Sequence, residues 1–293
     1  MLENWKRLNL LWEPTGTTKN VQARALLRAI ASFTVYPSDA TLWRGHSSHA
    51  YRICPSIGRG QDWSARASTQ SKVEDDVDAV VSKAKKASHY WRSGLEFRSL
   101  TQIEQLSHLQ HHGTPTPLVD LTPDPMVALW MAAQESRTLR VRNPNHGLLI
   151  GFNITDDVWK DLTTDERSYP QIMRELESRE TVGWSSPPVT NDRIVVQRSR
   201  FMISPMVSTK RWHEGVSDVW LPSLPRNWDQ DDPERQQQRL YSLFEPSQGR
   251  PNRLPVVALK VPGALKEHLR AVLARHYGIE QATLFPDVTG GVE

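Results

Sequence analysis

Residues 109–133, LQHHGTPTPLVDLTPDPMVALWMAA, constrain this chain more than any other stretch: two histidines, a glycine stop, a lone aspartate and an apolar helix follow one another there. Upstream, apolar side chains at Leu100, Ile103, Leu106 and Leu109 recur at helical spacing, so residues 96–110 are predicted to be one helix that Gly113 terminates. Pro115 biases its neighbour towards extended backbone, and residues 118–121 are predicted as a short buried strand with Asp120 inside it. Thr122-Pro123-Asp124 is predicted as the next helix start. The Thr122 hydroxyl is the expected cap, Pro123 the first helical residue, and Asp124 an acid facing the positive end of the macrodipole. Met126, Val127, Leu129, Trp130 and Ala133 then face a core. Such a density of polar groups between apolar elements marks a pocket wall.

Elsewhere the pattern is α+β. Residues 21–33 have helical spacing and form an N-terminal flank. Residues 41–43 are predicted as a strand that delivers Arg44-Gly45 to a turn, and residues 73–90 as a helix. Residues 147–154, 193–196 and 256–261 are predicted strands. Residues 264–277 are an amphipathic helix with Leu265, Leu269, Val272 and Leu273 on one side. Residues 180–192 have loop chemistry, with Gly, Ser-Ser and Pro-Pro, and residues 222–253 form a polar exposed insertion.

A chain of 293 residues can bury a large core and suits one elaborated domain or two smaller ones. The single cysteine, Cys54, excludes an internal disulfide framework and suits a reducing compartment. The N-terminus lacks a secretory pattern, and no apolar run reaches the roughly 18 residues of a membrane span, so a cytoplasmic protein is expected. A net charge of +3 is too small to argue nucleic-acid binding by itself. The clusters at Lys83, Lys85, Lys86, Arg92 and Arg98, and at Arg137, Arg140 and Arg142, are expected as solvated faces.

Several short motifs, in order, resemble those of the FRG domain, a mostly bacterial module named for an aromatic-Arg-Gly motif. They are Trp43-Arg44-Gly45, Pro55-Ser56 with Arg59, Gln110-His111-His112-Gly113 with Pro115-Thr116, Asp120 with Thr122, Arg193-Ile194 with Gln197, and Leu284-Phe285-Pro286-Asp287. The resemblance runs from about residue 41 to 288. Three positions depart from it: His46 stands where Gln commonly follows the Arg-Gly, Pro117 where Arg commonly follows Pro-Thr, and Arg198-Ser199-Arg200 replaces a glycine-containing run.

The resemblance implies a divergent relation to the ADP-ribosyltransferases, and with it a single α+β domain with a split or mixed sheet flanked by helices. Residues 1–40 would be the helical flank and residues 41–288 the domain, carrying the insertion at 222–253. It further implies NAD as substrate, with Arg44, Asp120 and Gln197 as catalytic candidates. Trp43, Gly45, His46, Arg59, His111, His112, Gly113, Thr116 and Thr122 are the implied NAD contacts. Arg44-Gly45 would take the place of the first-strand Arg or His, Asp120 and Thr122 the second-strand motif, and residues 193–197 the third strand. The implied role is a bacterial cytoplasmic toxin or anti-phage factor with a macromolecular acceptor, nucleic acid or protein, and an inhibitory partner protein. No membrane partner and no metal are implied.

Cleaving the nicotinamide–ribose bond builds an oxocarbenium-like cation, which a carboxylate and a water-poor aromatic pocket stabilise. Arg44 suits a pyrophosphate, Gly45 a close approach of backbone to ligand, and His111 and His112 a proton relay. The same residues have plainer roles. Arg44 and Asp120 suit an ion pair, Thr122 a helix cap, and the neutral Gln197 amide the satisfaction of buried main chain. His108, His111 and His112, with His46 and His49, suggest metal-dependent hydrolysis, but no His-Glu-x-x-His pattern accompanies them. No Gly-x-Ser-x-Gly elbow supports a serine hydrolase. A non-enzymatic nucleotide-sensing or protein-interaction module, anchored by Trp212, Trp220 and Trp228, is the third reading.

Overall fold

The computed structural model describes residues 10–34, 41–48, 51, 53, 55–58, 69–90, 94–135, 146–154, 159–179, 181–188, 192–208, 214–216 and 256–286. The insertion at 222–253 with its Trp228, and Trp212, Trp220, His49, Cys54, Arg59 and Asp287, lie outside the described residues.

Two four-stranded mixed sheets form the centre. In the first, β1 (Leu10–Trp12) runs parallel to β10 (Val256–Val261), which pairs antiparallel with β4 (Gly147–Asn153), and β4 pairs antiparallel with β2 (Thr41–His46). In the second, β3 (Val119–Leu121), β7 (Arg200–Ile203) and β6 (Val182–Ser185) are antiparallel in that order, and β5 (Trp159–Asp161) runs parallel to β6. A separate hairpin joins β8 (Met206–Ser208) to β9 (Glu214–Val216).

Side-chain alternation along the strands sorts the core into layers. Leu42, Leu148, Ile150, Phe152 and Ala258 point towards Val119, Leu121, Val182 and Met202, filling the space between the sheets. Trp43, Leu149, Val257 and Leu259 point the other way, to helices α1 (Lys19–Thr34), α5 (Pro125–Ala132) and α8 (Lys266–Tyr277). Phe201 and Ile203 face α2 (Thr69–Ala87), α4 (Gln102–His111) and α6 (Tyr169–Arg179) on the far side of the second sheet. The result is helices, sheet, sheet, helices, matching the expected α+β class with two sheets.

The sheets touch where the site lies. Trp43 and Thr122 exchange both main-chain hydrogen bonds, at 2.7 and 2.9 Å, an isolated bridge between β2 and the end of β3. Thr122 is thereby still sheet, so the helix starts two residues later than expected. Asp124 is the cap, its Oδ1 accepting from Met126 N at 2.8 Å, and Pro125 opens α5. The Thr122 hydroxyl instead accepts from Asp124 N.

Helix α5 lies directly on the first sheet. A Cβ at Gly45 would stand 2.0 Å from the Ala128 carbonyl oxygen, and one at Gly147 would stand 2.2 Å from that of Ala132. Gly45 therefore admits a helix backbone rather than a ligand backbone. Lys266, buried at the start of α8, donates to the Ser47 and Gln134 carbonyls at 2.6 and 2.9 Å, pinning the end of β2 to the end of α5. Burial pushes its amine down to about 8.

Four further expectations are corrected. Arg44-Gly45 does not turn: β2 continues through both to His46. The helix predicted over residues 96–110 is two, α3 (Gly94–Ser99) and α4, divided by a capping box in which Thr101 and Glu104 satisfy each other's main-chain N–H groups. The loop at 180–192 contains β6. The strand expected at 193–196 is a short helix, α7 (Asp192–Val196), where Ile194 is buried while Val195 and Val196 are exposed. Its β-branched residues favour a strand, so the fold overrides local propensity here.

Candidate active-site cleft

At the bridge between the sheets opens a cleft of about 290 Å³. Trp43, Arg44 and Gly45 from β2, Asp120 and Leu121 from β3, and Thr122 form its floor. Gln110 and His111 from the end of α4, and Val127, Ala128 and Met131 from α5, form one flank. Arg193, Gln197, Ser199 and Phe285 close the opposite side.

The floor is held by a continuous chain of hydrogen bonds. Ser56 Oγ accepts from Thr116 N at 2.9 Å and donates to the Thr116 carbonyl at 3.2 Å. The Thr116 hydroxyl donates to Gln110 Oε1, and Gln110 Nε2 donates to Asp120 Oδ1 at 2.5 Å. One residue's main chain then passes the chain on: Arg44 Nη1 donates to the Asp120 carbonyl at 2.6 Å, and Arg44 Nε donates to His46 Nε2 at 2.8 Å. A guanidinium can only donate, so His46 presents its unprotonated nitrogen and the proton sits on Nδ1. Arg44 and Asp120 are thus joined through a main-chain carbonyl, not through the ion pair that their sequence suggests. The Asp120 side chain is exposed to the cleft.

The opposite side is assembled from later segments. Gln197 ends α7, and its Nε2 donates to the Leu284 carbonyl at 2.8 Å, fastening α9 (Gln281–Leu284) and Phe285 to the cleft. The Arg193 guanidinium lies over the Phe285 ring, 4.6 Å from its centre. Arg198, in the departing Arg-Ser-Arg run, takes the left-handed conformation with φ +49°, where glycine is the residue of least strain.

Of the sequence-derived candidates, the structure brings together Trp43, Arg44, Gly45, His111, Asp120, Thr122 and Gln197. The other described candidates stand outside the lining, and Arg59 lies outside the described residues. His46 is buried behind Arg44, and Thr116 is fully buried as a link of the chain. His112 is exposed and packs on His108, ring centres 4.6 Å apart, while His111 turns the other way, edge-on to Phe201. Gly113, with φ +81°, ends α4: its N–H donates to the Gln110 carbonyl and that of Thr114 to the Leu109 carbonyl. Burial and the neighbouring His112 hold His108 below the usual histidine range. The three histidines therefore diverge, and among the described residues no group of three metal-ligating side chains converges.

Gln110, Arg193, Ser199 and Phe285 line the cleft without having been taken as site residues. Three of them lay within quoted motifs, so the signal was present. What was missing was the fold that turns them inward.

The cleft, of mixed apolar and charged lining, thus lies at the seam of the two sheets of a mixed helix-and-sheet fold, below a helix start. The chain carries an FRG domain: the family model of that description matches residues 39–140. No curated protein and no solved structure matches the chain. The matched residues contain the hydrogen-bonded floor from Trp43 to Thr122 and all of α5. Arg193, Gln197, Ser199 and Phe285 come from outside them. No helix of the described residues is long and apolar enough to cross a membrane.

Proposed function

We propose that the cleft binds NAD and that this FRG-domain protein transfers ADP-ribose from it to a macromolecule. The observation that carries the reading is the hydrogen-bond chain from Ser56 to His46, in which Ser56, Thr116, Gln110 and His46 serve to fix one guanidinium and one exposed carboxylate in a cleft of mixed lining. Purely structural pairing would not leave that carboxylate open.

Asp120 is assigned the part of the carboxylate that faces the ribose. As the nicotinamide–ribose bond breaks, nicotinamide leaves with the bonding pair and positive charge grows on the ribose; an anion fixed in advance stabilises it without reorganising. The acceptor nucleophile then bonds to the same carbon and loses its proton. Gln197, whose amide is committed to the Leu284 carbonyl, is assigned a positioning part instead of the ribose contact first expected. Arg44 and Arg193 supply the positive charge for the pyrophosphate, and Trp43, Leu121, Val127, Met131 and Phe285 the water-poor wall. The volume lies at the lower end of ligand sites, roughly 300–1,000 Å³, and suits one nucleoside-sized half of the dinucleotide.

The proposed setting is a bacterial cytoplasmic effector, a toxin or an anti-phage factor, with a nucleic-acid or protein acceptor and an inhibitory partner. Incubation with labelled NAD and a bacterial lysate tests the reading. Nicotinamide release and label on a macromolecule, both lost in Arg44→Ala, are expected; NAD binding without turnover in any fraction would favour the nucleotide-sensing module.

A further inference from the structure

A second pocket, of about 710 Å³, opens beside the first and shares Met131, Arg193 and Phe285 with it. Arg270 from α8, Trp130 and Gln134 from α5 and its end, and Gln281 from α9 complete the wall, with Glu135 at the rim. Two guanidinium groups thus face one space. Arg270 is fixed by a hydrogen bond from Nη1 to the Ala133 carbonyl at 2.6 Å. Its contact with Glu135 is 3.8 Å, too long for a hydrogen bond, and the Glu135 side chain is 88% exposed, so the carboxylate does little to neutralise it.

Arg193 is more telling. Its Nε is buried with no hydrogen-bond acceptor, and among the described residues no carboxylate pairs with it. One face of its guanidinium is taken by Phe285, whose ring stands 6.0 Å from that of Trp130. A guanidinium that the fold holds over an aromatic ring, with a buried Nε that has no acceptor, is arranged for an anion that arrives from solvent. The aromatic rings beside it favour a planar, apolar group on the same ligand.

We propose that this second pocket is a nucleoside-phosphate site, in which Arg193 and Arg270 receive the phosphate and Trp130 and Phe285 border the base. Because Arg193 and Phe285 belong to both spaces, the nucleotide sits next to whatever fills the first cleft. That chemistry has two sources: the adenylate half of a dinucleotide whose other half lies in the first cleft, or a nucleotide of a single-stranded nucleic acid lying beside it. The site rests on the geometry of the second pocket and does not require NAD turnover.

Calorimetric titration of the full chain with 5′-AMP, adenosine, NAD and a short single-stranded oligoribonucleotide tests it. AMP is expected to bind, and adenosine, lacking the phosphate, at least about tenfold more weakly. Arg270→Gln and Arg193→Gln each replace a guanidinium by a shorter, neutral amide. Each is expected to weaken AMP about tenfold with an unchanged circular dichroism spectrum. Loss of AMP binding in saturating NAD identifies the adenylate half as the source, and loss in saturating oligonucleotide identifies the nucleic acid. No AMP binding, or AMP binding that both variants leave intact, would overturn the proposal. Failure of NAD turnover alone would not, since Arg270 lies outside the first cleft.

Discussion

One side of the cleft is held by a relay of hydrogen bonds through six residues, while the other is fastened by single contacts to one main-chain carbonyl and one aromatic ring. Ser56, Thr116, Gln110, Asp120, Arg44 and His46 are each fixed by the next, over segments that meet at the bridge between the sheets. Gln197 and Arg193 depend instead on one carbonyl and one ring at the end of the chain. The difference teaches how each side is held: the floor presents its charges through a relay of hydrogen bonds, and the closing side rests on two contacts, with Leu284 and Phe285.

The sharpest way to break the contrast is at Gly45. Adding a methyl group there drives it into the Ala128 carbonyl, which is helix backbone and cannot rotate away, so Gly45→Ala is expected to cost more than about 3 kcal/mol or to prevent folding. Thermal denaturation decides it, and a variant as stable as the native chain would mean that α5 does not rest on β2. Next comes Asp120→Asn, which preserves the acceptor for Gln110 but removes the negative charge. It is expected to fold normally and to lower nicotinamide release by roughly 100-fold or more.

Thr116→Val tests the wiring itself. It strips Gln110 Oε1 of its donor inside the protein, with an expected loss of about 1–2 kcal/mol and a partial loss of turnover as Asp120 slackens. Gln197→Ala should have the smallest effect. It deletes one bond to a carbonyl, for about 1 kcal/mol, and should reduce turnover less than Asp120→Asn does. Equal losses of turnover in those two variants would restore Gln197 to the ribose contact.

How much of this was legible in the sequence follows the same division. The floor was legible because its residues sit in dense local motifs: Trp43 and Asp120 lie on strands and Gly113 ends α4 as expected, although the first strand runs on through Arg44-Gly45, where a turn was expected. Its connections were not, since a hydroxyl at Thr116 does not announce that it will meet Gln110 rather than a ligand. The cap moved from Thr122 to Asp124 because a pairing across 79 positions of sequence, Trp43 with Thr122, holds the chain extended for two more residues.

The closing side was the least legible. Ile-Val-Val within residues 194–196 has strand propensity, yet the segment is a short helix with Ile194 buried and Val195 and Val196 exposed. Gln197 finds its partner 87 residues later, a distance that no local pattern reports. Arg193 and Phe285 were both present in quoted motifs, yet only the fold lays one over the other.

The most direct test of a single NAD site built from both sides is calorimetric titration of NAD into the native chain, Arg44→Ala from the floor and Phe285→Ala from the closing side. Binding to the native chain that both variants weaken by about tenfold or more, with folding retained, is the predicted result. No binding to the native chain, or binding that Phe285→Ala leaves unchanged, would contradict it.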